Sequence, residues 1–173
     1  MNLRKYQRED SPIIATWIKT EKEMYQWSAD RYGFFPLKPY SVDEHYAPEI
    51  GNGRFFPLTM VDENDNDKVV GHLIIRYPKP DNDERVRIGF VVVDPAVRGK
   101  GYGSEMIRLA IEYIKENLSA TKADLGVFDN NPNARRCYES VGFKVYGSHT
   151  IDTPFGKWNC SDLAINLTDK IAD

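Results

Sequence analysis

A glycine-rich segment past the middle of the chain constrains the fold more than any other feature. Residues 93–104 read Val-Asp-Pro-Ala-Val-Arg-Gly-Lys-Gly-Tyr-Gly-Ser. They follow the apolar run 88–93 and precede apolar residues at helical spacing, which predicts a strand, a tight turn and a helix start. Glycine has no Cβ, so backbone N–H groups at this turn can approach a ligand closely. Because a helix N-terminus attracts anions, the segment predicts a phosphate or pyrophosphate site.

Two familiar phosphate-binding loops do not fit this segment. A P-loop requires Gly-x-x-x-x-Gly-Lys-Ser/Thr, but Lys100 precedes Gly101, and Ser104 has no lysine before it. A dinucleotide-binding loop requires Gly-x-Gly-x-x-Gly at the first strand of a βαβ unit. Here Gly99, Gly101 and Gly103 alternate with other residues. A nucleotide-binding domain is therefore the weakest of the functional interpretations.

A third template, Arg/Gln-x-x-Gly-x-Gly/Ala, matches residues 98–103 in full. In this respect the segment resembles the coenzyme A pyrophosphate loop of the GNAT superfamily of N-acetyltransferases. Taken alone, it is also compatible with an ordinary tight turn that caps a helix.

A second motif strengthens the resemblance. Residues 131–143 read Asn-Pro-Asn-Ala-Arg-Arg-Cys-Tyr-Glu-Ser-Val-Gly-Phe and are similar to the GNAT signature Asn-x-x-Ala-x-x-x-Tyr-x-x-x-Gly-Phe. Asn131 suits a helix N-cap, Pro132 suits the first helical position, and Gly142 suits a left-handed helix end. A helix with a phenol in its core is the alternative interpretation of this motif alone. The two motifs in this order favour a GNAT protein.

The predicted elements follow the GNAT order over nearly the whole chain. The predicted strands are 3–6, 55–61, 68–77, 86–93, 125–128, 143–150 and 158–167. Helices are predicted to begin at residue 10, after Thr20, at a capping box formed by Ser41 and Glu44, at 101–118 and at 131–141. The resemblance implies an α+β (mixed α/β) GNAT fold as one domain over 1–173. Its central sheet is mixed but mostly antiparallel, with a splayed parallel strand pair and helices on both faces.

Composition limits the partners. The chain has 23 basic and 26 acidic residues, for a net charge of −3, which argues against binding nucleic acid. No apolar run of about 20 residues occurs, so we expect no membrane partner. The polar start of the chain lacks an apolar signal core, and two cysteines make no disulfide framework. We therefore expect a cytoplasmic protein.

The resemblance implies acetyl-CoA as the acetyl donor and coenzyme A as the product, with no metal. The residues expected to bind the coenzyme lie in the two motifs and in the strand before the loop. They are Val91, Val92, Val93, Arg98, Gly99, Lys100, Gly101, Tyr102, Gly103, Ser104 and Asn131. The three valines would bind pantetheine through backbone exposed where their strand separates from the strand that holds Leu125. The alternatives are a buried parallel strand for the valines and a plain N-cap for Asn131.

The implied reaction is acetyl transfer to a primary amine by direct attack in a ternary complex. By the resemblance, Tyr138 is the acid that reprotonates the coenzyme A sulfur, and an unperturbed phenol pKa of about 10 suits this task. A backbone N–H near Val91 or Val92 is the expected oxyanion donor. Cys137 lies in the apolar stripe of this predicted helix and is expected to be a small buried hydrophobe rather than a reactive thiol. We expect it to form no covalent intermediate, because it points about 100° away from Tyr138 on the helix.

The general base is where the chain departs from the family. Many members carry a glutamate on the fourth strand, eleven positions before the first residue of the loop motif, where this chain has Arg87. Arginine cannot act as a base at neutral pH. His72, Glu23, Asp30, Glu84 or a water relay remain as candidates. Arg87 itself is either a binding group for an acidic part of the acceptor or a solvated arginine at the sheet edge.

The acceptor is predicted only as a small-molecule or peptide amine. An aromatic cluster either walls the acceptor pocket or is ordinary packing of the first helices: Tyr25, Trp27, Tyr32, Phe34 and Phe35. Nearly balanced charges do not choose among acceptors, and longer acyl-CoA donors and a homodimer through the last strand also stay open. The alternative function is a non-catalytic acyl-CoA-binding or sensing module of the same fold.

Overall fold

The computed structural model describes residues 1–168. Its strands are β1 (Asn2–Lys5), β2 (Phe55–Asp62), β3 (Lys68–Arg76), β4 (Arg85–Val93), β5 (Lys122–Phe128), β6 (Lys144–Thr153) and β7 (Gly156–Asn166). Its α-helices are α1 (Asp10–Trp17), α2 (Glu21–Ser28), α3 (Ser41–Tyr46), α4 (Tyr102–Asn117) and α5 (Pro132–Val141). The end of the predicted domain, residues 169–173, lies outside the described residues.

The strands form one sheet in the order β1-β2-β3-β4-β5-β7-β6. Short turns join β2 to β3 and β6 to β7, so those pairs are antiparallel hairpins. The connection from β4 to β5 passes through α4, and this crossover makes the two strands parallel. The predicted mixed, mostly antiparallel sheet with one parallel pair is confirmed.

Helices bury both faces of the sheet. On one face, which we call the back, α4 contributes fully buried side chains such as Ile107, Ile111 and Ile114, and α5 lies beside it. On the other face, the front, α1, α2 and α3 cover the sheet with residues such as Ile14 and Met24. Each such aliphatic side chain contributes about 1.5–3 kcal/mol when fully buried. None of the helices in residues 1–168 is long and apolar enough to cross a bilayer.

Strand β5 contains the predicted strand segment 125–128. The structure corrects two other local predictions. The turn between β6 and β7 is only two residues long, because both strands extend past their predicted ends. The capping box at Ser41 is wrong, because Ser41 is already the first helical residue and its Oγ accepts a hydrogen bond from Lys38 N at 2.9 Å. A complete capping box stands instead at the start of α2, between Thr20 and Glu23.

Candidate active site

Strands β4 and β5 separate soon after they meet. They pair at only three positions, from Arg85 opposite Lys122 to Arg87 opposite Asp124. Lys122 N points toward β4, where it donates to Glu84 O at 3.0 Å. Strand orientation repeats every second residue, so the N–H and C=O of Gly126 also face β4, but there they meet no partner strand. Two unpaired backbone edges therefore border a gap.

A β-bulge shapes the β4 side of this gap. His72 pairs with Val92 and Ile74 with Gly89, so two residues of β4 lie opposite one residue of β3. Phe90 takes a left-handed conformation with φ 49°, which is strained for a non-glycine residue. Its ring packs on Trp27 at 5.4 Å between centroids, which holds the bulge in place.

The gap opens into a cleft of about 770 Å³. Its walls come from α2, β4, the glycine loop, β5 and α5. All but two of the predicted coenzyme and catalytic residues line it: Val91, Val92, Val93, Arg98, Gly99, Gly101, Gly103, Ser104, Asn131 and Tyr138. The exceptions are Lys100, which is exposed, and Tyr102, whose hydroxyl donates to Asp62 at 3.3 Å.

The glycine loop presents bare backbone to the cleft. Gly99 and Gly101 have φ of +78° and +85°, and a Cβ on either would meet no atom within 4 Å. Gly101 is the N-cap of α4 and supplies no side-chain cap. The first helical bond runs from Glu105 N to Gly101 O at 3.1 Å, so the N–H groups of the first turn are free of helical partners. This loop therefore fits a diphosphate.

Arg98 adds positive charge where the loop meets β4. Its Nε donates to Val93 O at 3.2 Å, and its Nη1 lies 3.8 Å from Glu23 Oε1. The guanidinium is thus held between the end of the strand and α2, at the cleft wall.

Helix α5 supplies the opposite wall. Asn131 caps it, because its Oδ1 accepts a hydrogen bond from Ala134 N at 3.3 Å. Tyr138 is only 6% exposed, and burial raises the pKa of its phenol above the ordinary value. Cys137, expected to be buried, is only partly buried and lines the cleft, with its sulfur 3.5 Å from Ser104 Oγ. Burial raises the pKa of the Cys137 thiol, which keeps it protonated and a poor nucleophile.

The structure places the candidate general bases in different environments. His72 on β3 is fully buried under the front helices, its Nε2 lies 2.8 Å from Tyr46 Oη, and desolvation lowers its pKa to about 3. It does not line the cleft, so it is removed from the candidates. Glu23 lines the cleft, but its Oε2 accepts hydrogen bonds from the backbone N–H groups of Lys19 and Thr20. Asp30 is exposed beyond α2, and Glu84 precedes β4 at its paired end.

Part of the predicted aromatic cluster lines the cleft, and the rest does not. Trp27 lines the cleft, and Tyr32 stacks on it at 5.3 Å between ring centroids. Tyr25 packs on Phe155, and Phe34 is exposed beneath Lys38. Phe35 packs against the core under the front helices.

Sequence reasoning missed an ion-pair network beside the gap. Arg87 Nη1 donates to Asp124 at 3.0 Å, its Nη2 donates to Asp162 at 3.2 Å, and Arg85 also pairs with Asp124. His149 Nδ1 lies 2.8 Å from the second oxygen of Asp162. The only signal in the sequence was the arginine at the position of the family glutamate.

Comparison with known proteins decides the family. The sequence profile described as "Acetyltransferase (GNAT) family" matches residues 21–143, well over half of the chain. The chain belongs to this family.

Individual relatives of this GNAT protein match parts of it. Mycothiol acetyltransferase from Corynebacterium efficiens is 27% identical over 140 residues, which are 80% of this chain and 43% of that protein. Spermine/spermidine N(1)-acetyltransferase from Bacillus subtilis is 29% identical over 75 residues, covering 43% of this chain and 49% of that protein. The chain thus spans less than half the length of either relative.

Solved structures agree with the fold. Spermidine N-acetyltransferase from Vibrio cholerae, in complex with CoA and spermine, superposes with a TM-score of 0.77. The match covers 96% of this chain and 95% of that one at 19% identity, so it shows the common GNAT fold alone.

Proposed function

We propose that this chain transfers an acetyl group from acetyl-CoA to a primary amine, by direct attack in a ternary complex. The observation that carries this proposal is the continuous surface of unpaired backbone. It runs from the separated edges of β4 and β5 to the free N–H groups at the start of α4.

Backbone groups bind the coenzyme. The N–H groups of Gly99, Gly101 and Gly103 hold the pyrophosphate, and Arg98 adds charge. The edges of β4 and β5 hold the pantetheine amides as two neighbouring strands would. Asn131 contacts this arm through its side-chain nitrogen, because its oxygen is used in the cap. When bound, acetyl-CoA supplies an activated thioester.

The bulge in β4 supplies the oxyanion donor. Asp94 N donates to Val70 O on β3 at 3.0 Å, and Val92 shares that orientation two residues earlier. The N–H of Val91 therefore faces the gap, and of the two expected residues it is the better donor. Because this N–H is fixed before any ligand arrives, it needs little reorganisation during reaction.

Tyr138 acts as the acid that returns a proton to the departing sulfur. Its position in the cleft wall and the raised pKa of its phenol keep the proton available at neutral pH. Cys137 forms no covalent intermediate.

Solvent water removes the proton from the amine. His72 is buried away from the cleft, and Arg87 cannot accept a proton. The rate at saturating acetyl-CoA should therefore rise with pH along the titration of the amine itself, with no contribution from His72.

The missing carboxylate at position 87 favours one competing function, a non-catalytic acyl-CoA-binding module. Two measurements separate the functions: thermal stabilisation by acetyl-CoA, and thiol release across a panel of primary amines. Stabilisation with thiol release supports the enzyme. Stabilisation without thiol release from any amine contradicts the enzyme and supports the binding module. No stabilisation contradicts both.

A further inference from the structure

The front face of the sheet carries an excess of arginine beside the gap. Arg76 on β3 and Arg87 on β4 are direct partners across the two strands, so their side chains emerge on the same face. Arg85 lies two residues before Arg87 and shares that face as well. Like charges placed directly opposite each other are destabilising, so this arrangement calls for an explanation.

The carboxylates of this face are committed elsewhere. Asp124 is held by Arg85 and Arg87, and Asp162 is held by Arg87 and His149. Within residues 1–168, no carboxylate oxygen lies within 4.0 Å of the Arg76 guanidinium, and no hydrogen bond from it is formed. Arg76 is therefore a cation without an anion partner in the described part of the chain.

Arg76 is also partly withdrawn from water. It is half-buried, and desolvation, followed by repulsion from Arg87 and Arg31, lowers the pKa of its guanidinium. Asp124 and Glu49 oppose this shift from a distance only. Arginine stays protonated in proteins, so the strain remains as an unsatisfied positive charge that an incoming anion would relieve.

Arg87, the cross-strand partner of Arg76, lies next to the cleft. Gly89 and Gly126 stand on the diverging parts of β4 and β5 and both line the cleft. A Cβ on Gly126 would lie 2.7 Å from Arg87 Nη2. A Cβ on Gly89 would point toward Ile74 on the front face. The Arg87 guanidinium therefore lies against the bare main chain of Gly126, at the front edge of the gap.

We propose that the acceptor is an amine that also carries a carboxylate, as an α-amino acid does. The carboxylate binds the Arg76 guanidinium beside Arg87, and the amine lies toward the cleft, on the side of Gly89 and Gly126. An arginine fork matches the two oxygens of a carboxylate, which favours this class over a polyamine. This inference rests on the proposed acetyl transfer and names its substrate class.

The first experiment compares matched substrates with the wild-type protein. Thiol release from acetyl-CoA is measured with the standard α-amino acids, with their carboxamides and with spermidine. At least one amino acid should give a kcat/KM about tenfold or more above that of its carboxamide, because the amide lacks the charge. If carboxamides or spermidine are the better acceptors, the proposed activity stands and the carboxylate inference is overturned.

A second experiment tests Arg76 itself. Arg76→Gln should lower the acid-to-amide preference about tenfold, whereas Arg76→Lys should keep part of it. Lys115→Gln, which removes one positive charge at the far end of α4, is the matched control and should leave the preference unchanged. Arg76→Gln should unfold at the wild-type temperature or above it, because it removes a repulsion. An unchanged preference in Arg76→Gln contradicts the inference.

A binding measurement separates failure of the proposed acetyl transfer from failure of the proposed carboxylate site. N-acetyl amino acids, the expected products, should stabilise the wild-type protein with coenzyme A against heat more than their carboxamides do, and Arg76→Gln should lose this difference. If no amine releases thiol but this difference is present, the proposed activity fails while the carboxylate site stands. If the difference is absent, the site is overturned whatever the activity.

Discussion

The two edges of β5 differ in their strand pairing. On one side β5 pairs with β7 along all seven of its residues, from Lys122 to Phe128. On the other side it pairs with β4 at three positions and then leaves its backbone free. The same strand therefore contributes stability through its closed edge, and its open edge is where we propose that the coenzyme binds.

The closed edge should show the largest effect on stability. Leu163 on β7 is fully buried and pairs with Leu125 on β5. Leu163→Ala should lower the free energy of unfolding by about 2–5 kcal/mol through lost burial and a new cavity. Urea unfolding measures this, with the exposed Lys157→Ala of the same hairpin as control. The affinity of the folded variant for acetyl-CoA should stay unchanged, and a parallel loss of affinity would break the comparison.

The glycine loop, which continues the unpaired backbone of the open edge, should show the largest effect on coenzyme binding. Gly101→Val should weaken acetyl-CoA binding at least about a hundredfold, or about 2.7 kcal/mol, because the side chain blocks the approach of the pyrophosphate. Gly51→Val is a matched control: Gly51 has φ +87° and open space around it, but lies outside the cleft. Both variants carry the strain of a left-handed valine, about 1–3 kcal/mol. Isothermal titration should find weak binding in Gly101→Val only, and equal affinities would remove the loop from the site.

A substitution of Tyr138 tests whether the cleft beside the open edge supports acetyl transfer as well as coenzyme binding. Tyr138→Phe should lower kcat about 10- to 100-fold, because the phenolic proton donor is lost. The Kd for coenzyme A should stay within about twofold, since the ring remains in place. Tyr113→Phe is the control, because Tyr113 lies on α4 beside Phe56 and outside the cleft. Losses of equal size in kcat and affinity would make Tyr138 a binding residue.

A smaller effect belongs to His72, which is buried on β3 under the front helices and lies at neither edge of β5. Its pKa of about 3 in the folded protein lies below the ordinary 6.5, so the unfolded chain binds a proton that the folded chain does not. Stability should therefore fall as pH drops from 6.5, by up to about 1.4 kcal/mol per pH unit. Urea unfolding between pH 6.5 and about 4.5 measures the slope, and His72→Gln should flatten it. An unchanged slope would show that His72 is not the titrating group.

Sequence reasoning could find the glycine loop and helix α5 because local chemistry encodes them. The glycines at 99 and 101 adopt the left-handed conformations that such residues allow, and Asn131 and Gly142 begin and end α5 as predicted. The hairpins β2–β3 and β6–β7 were predictable from their turns, whereas the mixed sheet with its parallel pair was expected through the family resemblance. The separation of β4 from β5 was expected only through the family resemblance.

The contacts on the front face could not be predicted from the sequence, because they depend on the register between strands that are distant in the chain. Arg87 meets Asp124 and Asp162, which lie 37 and 75 residues away in the chain. Nothing local indicates which residues of β4, β5 and β7 stand opposite one another. For the same reason His72, a plausible base from the sequence, is instead a buried partner of Tyr46.

Amide hydrogen exchange with and without coenzyme A tests the central claim most directly. The claim is that the open edge of β5, the bulged strand β4 and the glycine loop hold the coenzyme through backbone groups. The amides of Gly126, Val91 and Gly101 should exchange more slowly when coenzyme A is added. The amides of Leu125 and Val127, which already pair with β7, should not change. Protection confined to other parts of the chain, or none at saturating coenzyme A, would contradict the account.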